Sequence, residues 1–371
     1  MVYYVRFLKT PRIDYKNGSV SISALICITT DLGDSFLAED VDLMIFAHDE
    51  ASHMLCERQV KWNAYNRELP IALGSLPANS AKQALILTVK PPQPKSQSRL
   101  DHTSIPPRVP LVIGASSASF GPQSTPAEKL VLRHIGDLPQ APMLDIWEET
   151  GNSIARHIWD AGLATVMYLS DTIHYLRSEE QGRKSKERCL LNQELYFVSQ
   201  IPALRKLLST VHNPPLQVVE LGAGCGIVGI GLATMLANCS VLLTDLPEVE
   251  EIITRNIKAN NTQDMSSLKY RNLDWENPPD DLCSRPIELI LVSDCTYNAD
   301  SLPVLVSALD RLVRTSPGAI ILVALKRRHD SETVFFDLMR SAGFTSEQET
   351  VEVPSQHEEV DEIEFHCYRR S

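Results

Sequence analysis

An apolar run that stops on three alternating glycines constrains this chain more than any other feature. Val218, Val219 and Leu221 make a buried strand around Glu220, then come Gly222, Ala223, Gly224, Cys225 and Gly226, and a helical pattern opens at Ile227. Glycine has no Cβ, so such a turn lets backbone press against a ligand, and the helix behind it offers unpaired N–H groups. A turn with no ligand would leave the entropic cost of three glycines in five residues uncompensated. The next apolar run ends at Asp245, where a carboxylate can take both hydroxyls of a ribose. Together these features imply a nucleoside-containing ligand on a parallel α/β sheet.

The glycines fit two registers. The dinucleotide pattern G-x-G-x-x-G falls on Gly224, Gly226 and Gly229, with Asp245 near the expected offset of roughly 20 residues. That register begins two residues past the strand. The G-x-G-x-G register on Gly222, Gly224 and Gly226 begins where the apolar run stops, directly after Glu220-Leu221. This acidic strand end followed by alternating glycines resembles motif I of the S-adenosylmethionine-dependent methyltransferases.

Composition narrows the setting. At 371 residues the chain has room for two or three domains. No apolar run approaches the roughly 20 residues of a membrane span, and the N-terminus lacks a signal-peptide layout. Eight scattered cysteines, with no C-x-x-C pair, point to reduced thiols in cytosol or nucleus and not to a disulfide frame or a metal site. Cys225 reads as a small filler ahead of a nucleophile. A net charge of −12 argues against a dedicated nucleic-acid binder and favours a basic partner, although much of the acidity sits near the C-terminus and also reads as a solvated face.

Residues 1–90 read as a β-rich accessory domain, a small antiparallel sandwich or barrel, with strands expected over 2–8, 19–29, 41–48, 60–64 and 84–90. Residues 91–139 are rich in proline and serine and read as a linker, with 111–113 and 129–135 as ordered pieces. From 140 to 371, strands alternate with helices. Helices are expected over 153–175, 191–209, 227–236, 247–260, 304–314 and 333–342. Strands are expected over 216–221, 240–244, 269–273, 287–293 and 319–325, with an edge hairpin at 347–353 and 362–368. The basic run 177–188 reads as a solvated loop between helices.

The second anchor is the apolar strand Leu289-Ile290-Leu291-Val292, which ends in Ser293-Asp294-Cys295-Thr296-Tyr297 at the carboxyl edge of the sheet. Asp294-Cys295-Thr296-Tyr297 matches the D-x-x-Y motif of the seven-β-strand protein lysine methyltransferases (the methyltransferase-like 21 group and relatives). Ile158-Trp159-Asp160-Ala161-Gly162 resembles that group's tryptophan segment. Leu243-Thr244-Asp245-Leu246-Pro247 resembles its acidic loop, and Leu273-Asp274-Trp275 its adenine-flanking segment. The resemblance spans 146–370 and implies a doubly wound, seven-stranded class I methyltransferase sheet behind the β-rich domain.

Carried over position by position, the resemblance implies S-adenosylmethionine as cofactor. It places Trp159, Glu220, Gly222, Ala223, Gly224, Asp245, Leu246, Asp274, Trp275 and Ser293 around it, and turns Asp294 and Tyr297 toward a lysine amine of a protein substrate. Plain alternatives stand beside these roles: core packing for Trp159, Trp275 and Tyr297, a turn cap for Asp274, a helix N-cap for Asp294. Asp160 reads as a loop brace, and Arg328 and Glu332 as surface charges. The residues leave open an arginine, histidine or small-molecule acceptor, or a binding module without turnover. No metal is expected and a monomer is favoured. The β-rich domain reads as a grip on the substrate protein or as a stabilising appendage, which deleting 1–90 would distinguish.

Overall fold

A computed structural model describes residues 2–16, 19–76, 80–92, 110–121, 125–136, 143–151, 153–180, 197–260, 262, 266–353 and 361–370. The chain divides into two compact units, the first holding the described residues up to Ile135 with Asp145–His157, the second Ile158–Val353 and the last strand. No described helix is long and apolar enough to cross a membrane.

The first unit is a sandwich of two sheets sharing one core. Strands β1 (Tyr3–Lys16), β2 (Ser19–Thr29), β5 (Leu69–Leu76) and β7 (Val112–Ile113) form one sheet in the order β5-β2-β1-β7. Strands β3 (Val41–Asp49), β4 (Met54–Trp62), β6 (Leu85–Lys90), β8 (Ala115–Ser117), β9 (Leu130–Ile135) and β10 (Leu144–Glu149) form the other, β10-β9-β8-β6-β3-β4. In β3 the alternate residues Leu43, Ile45 and Ala47 are buried, the period of two that a one-sided strand requires. They meet Val5, Ile22 and Ile26 from the other sheet and Trp62 from neighbouring β4 in a single cluster.

The boundary differs from the sequence expectation. Strands β7, β8 and β9 lie within 91–139 and β10 lies beyond 140, yet all four complete the N-terminal sandwich. Local pattern assigns β7 to β9 to a linker with ordered pieces and β10 to the second domain, while pairing decides the outcome: β7 to β1, β8 to β6, β9 to β8 and β10 to β9. Arg133 of β9 and Glu148 of β10 form a fully buried ion pair, and the Arg133 guanidinium also donates to the Gly114 carbonyl at 2.9 Å. Strand β5 was not anticipated because Pro70 interrupts it; at a sheet edge the missing N–H is tolerated.

The second unit carries helices α1 (Asp160–Glu180), α2 (Pro202–Ser209), α3 (Ile227–Met235), α4 (Glu250–Ala259), α5 (Asp280–Cys283), α6 (Leu302–Val313) and α7 (Thr333–Ser341). Its strands are β11 (Leu216–Leu221), β12 (Cys239–Asp245), β13 (Ser267–Asn272), β14 (Leu289–Ser293), β15 (Ile320–Leu325), β16 (Phe344–Val353) and β17 (Asp361–Arg370). They form one sheet in the order β13-β12-β11-β14-β15-β17-β16, parallel except for β17, which runs antiparallel between β15 and β16. Strands β14 and β15 are almost continuously apolar and buried, as strands covered on both faces must be. Leu242 joins α6 and α7 in one core, while its neighbours Val241 and Leu243 press on Gly229 of α3 on the other face. The strand order reverses between β11 and β14, which opens a crevice outside their carboxyl ends.

Helix α1 starts at Asp160, seven residues later than the pattern suggested. Its start is fixed by Asp294, whose carboxylate accepts from the Ala161 N–H at 3.0 Å. Residues 181–196 lie outside the described residues, and with them most of the basic run and the first part of the helix expected over 191–209.

Candidate functional site

The glycine turn folds as its sequence demands. Gly222, Gly224 and Gly226 have φ of +64°, +54° and +79°, the left-handed region that other residues enter at a cost. A Cβ at Gly222 would lie 2.5 Å from Cys295 Sγ and 3.3 Å from Trp275 Cζ2. The turn is therefore clamped between the segments that follow β13 and β14, and only a residue without a side chain fits.

Asp245, the last residue of β12, joins this turn. Its Oδ2 accepts from the Gly224 N–H and its Oδ1 from the Leu246 N–H, each at 2.7 Å. Burial pushes the carboxyl above its ordinary range against the pull of those two amides. Leu246 is exposed beside it. Tyr270, which sequence reasoning missed, donates from its Oη to the Leu246 carbonyl at 2.9 Å and fixes the loop. Only the fold brings it there, from the neighbouring strand.

The Leu273 N–H donates to the Asp245 carbonyl at 2.9 Å and carries Asp274 and Trp275 alongside. Asp274 is exposed and accepts from the Glu276 N–H at 3.0 Å, the turn-capping role held open from sequence. Trp275 is half-buried against the cluster of Leu221, Leu242 and Leu273.

At the end of β14, Ser293 Oγ is buried with no hydrogen-bond partner among the described residues. Asp294 has a φ of +52°, and its two oxygens accept from the Ala161 N–H at 3.0 Å and the Lys326 N–H at 3.3 Å. The helix-cap alternative is thus real, but the helix capped is α1 and not the one that follows in sequence. Cys295 is buried, and that burial pushes its thiol well above the usual range. Tyr297 is 54% exposed, and its phenol is raised by partial burial, then by Cys295 and Asp245.

Trp159 is half-buried with the Arg328 guanidinium 5.6 Å from its ring centre. Asp160 accepts from Lys326 Nζ at 2.9 Å, the bracing role expected of it. Glu332 departs from expectation: it is 2% exposed, not a surface charge. Its Oε2 accepts from Thr296 Oγ1 at 3.0 Å, and its Oε1 from the Arg328 and His329 N–H groups at 2.9 and 3.1 Å. It clasps the D-x-x-Y segment to the segment after β15. His329 and Glu332 form a capping box, but a histidine cap lies outside the Ser/Thr-x-x-Glu signature, so it was not legible in the sequence.

Glu220 also departs. It is 2% exposed, with Oε2 accepting from the Gly229 N–H at 2.8 Å, and it holds α3 to β11 from inside. Burial raises its carboxyl to about 8, with Asp245 adding to the rise and the Gly229 amide opposing it. Its carboxyl is closed off from the crevice where the other residues of the set gather.

The residues fit S-adenosylmethionine. Gly222 leaves a cradle that a Cβ would fill, Trp275 lends a flat apolar wall, Asp245 can accept from hydroxyls, and Ser293 Oγ has no partner among the described residues. Among the described residues no group of His, Cys, Asp and Glu is arranged to hold a metal ion.

Sheet order, glycine turn and crevice residues define the second unit as a class I methyltransferase domain, for which S-adenosylmethionine is the methyl donor. The family model for lysine methyltransferases matches residues 139–342, more than half of the 371-residue chain, and the chain belongs to that family. The UPF0665 family protein C23C4.06c of Schizosaccharomyces pombe is 27% identical over 343 residues, covering 90% of this chain and 91% of that one. The protein-lysine N-methyltransferase rrg1 of the same yeast is 35% identical over 139 residues, 35% of this chain and 45% of its own length. EEF1A lysine methyltransferase 3 of Xenopus tropicalis is 34% identical over 124 residues, 32% of this chain and 51% of its own. The match thus spans about half the length of these two named methyltransferases.

Proposed function

We propose that this protein transfers a methyl group from S-adenosylmethionine to a lysine ε-amine of a protein substrate. One observation carries the reading: Gly222, Asp245, Trp275, Ser293 and Asp294 meet at the carboxyl ends of β11, β12 and β14 in a chain of the lysine methyltransferase family. The names of the two methyltransferase relatives support lysine as the acceptor.

When bound, S-adenosylmethionine supplies an electrophilic methyl on a positively charged sulfur. Trp159, Gly222, Ala223, Gly224, Asp245, Leu246, Trp275 and Ser293 would hold it. Asp294 and Tyr297 serve the acceptor. A free lysine has a pKa near ~10.4, so roughly one in a few thousand is neutral at pH 7. Desolvation beside Trp159 and Tyr297 lowers that value, and the Asp294 carboxylate, an acceptor only, is held by the Ala161 and Lys326 amides. The carboxylate can therefore orient the ammonium and accept its departing proton. Its amide partners fix its direction, so alignment and not movement is its contribution.

The test is to incubate the full chain with isotopically labelled S-adenosylmethionine and a cell lysate, then map the label by mass spectrometry. Methyl on lysine is the expected result. Label confined to arginine, histidine or small molecules would reject the lysine assignment, and donor binding with no label anywhere would reject turnover.

A further inference from the structure

Residues 326–332, which join β15 to α7, take no step in the proposed chemistry, yet they touch its acceptor side three times. The Lys326 N–H donates to Asp294 Oδ1 at 3.3 Å, and the Arg328 guanidinium lies 5.6 Å from the Trp159 ring centre. Glu332, the last residue of the segment, accepts from Thr296 Oγ1 at 3.0 Å. Both ends of the segment are fastened. At the first, Lys326 Nζ sits between Asp160 Oδ2 at 2.9 Å and Asp361 Oδ2 at 3.2 Å. At the other, Glu332 Oε1 accepts from the Arg328 and His329 N–H groups at 2.9 and 3.1 Å, so the segment curls over its own carboxylate.

Glu332 and Thr296 are both buried. A carboxylate taken out of water is costly unless its oxygens are met, and here three donors meet them. An apolar side chain would fill the space without that cost, but it would lack direction. A charge-assisted hydrogen bond holds Thr296 at one distance and angle, where apolar contact would let it slide.

That direction bears on Tyr297. The three residues before it are each tied across the chain. Asp294 is held by the Ala161 and Lys326 amides, Cys295 lies under the glycine turn with its Sγ 3.5 Å from the Leu221 carbonyl, and Thr296 is held by Glu332. Tyr297 then projects, exposed, and the hydrogen bonds of Asn298 to Asp300 and Ser301 stay within their own turn. The Thr296 side chain is therefore the last to tie this segment to another before the phenol.

We infer that Glu332 is a positioning residue for methyl transfer: through Thr296 it sets the direction of Tyr297, as the Ala161 and Lys326 amides set that of Asp294. The role in transfer rests on the methyltransferase reading. Thr296→Val keeps the side chain's shape and removes only the hydroxyl, whereas Glu332→Ala would also strand two amides. Full-length protein grown with fluorotyrosine gives a fluorine resonance for Tyr297, assigned by its loss in Tyr297→Phe. In Thr296→Val that resonance moves toward the shift and width of free fluorotyrosine, and in Thr296→Ser, which keeps the hydroxyl, it stays near its wild-type position. Labelled-methyl incorporation is followed over a dilution series of cell lysate. Its maximal rate falls roughly tenfold or more in Thr296→Val, as a shift of about an ångström in a reacting group costs, and Thr296→Ser recovers most of the loss. The fall lies in maximal rate more than in the lysate concentration that gives half of it. S-adenosylmethionine affinity, measured by calorimetry, holds within a few-fold. Where Thr296→Val does not fold, Thr296→Val combined with Glu332→Gln removes the same bond without stranding a charge and carries the same expectations. An unmoved Tyr297 resonance, an undiminished rate, an equal loss in Thr296→Ser, or a loss confined to donor affinity overturns the inference. Wild-type protein that labels nothing removes the methyltransferase reading, while the Tyr297 resonance still decides whether Glu332 holds that side chain, so the two failures are distinct.

Discussion

Replacing Gly222 by alanine tests how tightly the turn is held. The new Cβ meets two obstacles. One is conformational: at a φ of +64° an L-residue costs about 1–2 kcal/mol. The other is steric: Cys295 Sγ lies 2.5 Å from the Cβ position, about an ångström inside ordinary contact, and such overpacking costs typically about 1–3 kcal/mol. Together they predict about 2–5 kcal/mol, read as a lowered denaturation midpoint and as S-adenosylmethionine affinity weakened by roughly tenfold or more, since ~1.4 kcal/mol is a factor of ten. The two parts separate in a double mutant. Cys295→Ala removes the sulfur, so adding it to Gly222→Ala restores the steric part and leaves the conformational one, a coupling of about 1–3 kcal/mol. Urea denaturation and calorimetric titration of the four proteins measure both quantities. A double mutant whose losses equal the sum of the singles, or a Gly222→Ala protein that binds the donor as wild type does, refutes the reasoning.

Three further outcomes follow from carboxyls that the fold holds. Glu220 titrates at about 8 in the folded chain and near ~4.5 when unfolded, so its contribution to stability is full below about pH 4.5 and declines by about 1.4 kcal/mol per pH unit until pH 8. Glu220→Gln removes that decline, and denaturation midpoints of the two proteins across pH 5–8 check it; parallel profiles would contradict it. Asp294→Asn keeps donor binding within a few-fold, abolishes methyl transfer, and costs about 1 kcal/mol because its amide NH2 cannot accept from one of the two backbone N–H groups that the carboxylate holds; full turnover would remove the role of Asp294. In the sandwich, burial pushes the Glu148 carboxyl up, but Arg133 and His157 outweigh it and hold it well below the ordinary range. Glu148→Gln strands a buried guanidinium and destabilises the first unit by about 3–5 kcal/mol, measured by limited proteolysis and calorimetric unfolding; a loss under about 1 kcal/mol would show that the pair is not the clamp described.

What the sequence revealed was what lies close together along the chain. The strand, glycine turn and helix over 216–227 are contiguous, so period and glycine placement sufficed, and the order of strands and helices after 216 followed. Features held together across long sequence separations were hidden. The start of α1 depends on Asp294, 133 residues away. Glu332 reads as a surface charge because Thr296, its hydroxyl partner, is 36 residues distant. Glu220 was counted with the cofactor set because position on a strand end does not say which face the side chain takes. Strands β7 and β8 are too short to stand out, and pairing with β1 and β6, extended through β9 and β10, makes the four part of the sandwich. Deleting residues 1–90 would therefore remove six strands of a shared core, leaving β7 without its partner and β8 to β10 without the sheet they extend, so a test of this unit must remove the described strands through β10 together.

The central claim is that the crevice beside β11 and β12 holds S-adenosylmethionine through Asp245. Calorimetric titration of the donor into wild-type protein and into Asp245→Ala measures it directly. Saturable one-to-one binding by wild type and a loss of about 1.5–3 kcal/mol in the variant, the worth of a hydrogen-bonded charged group, is the predicted result. Equal affinity in the two proteins would contradict it.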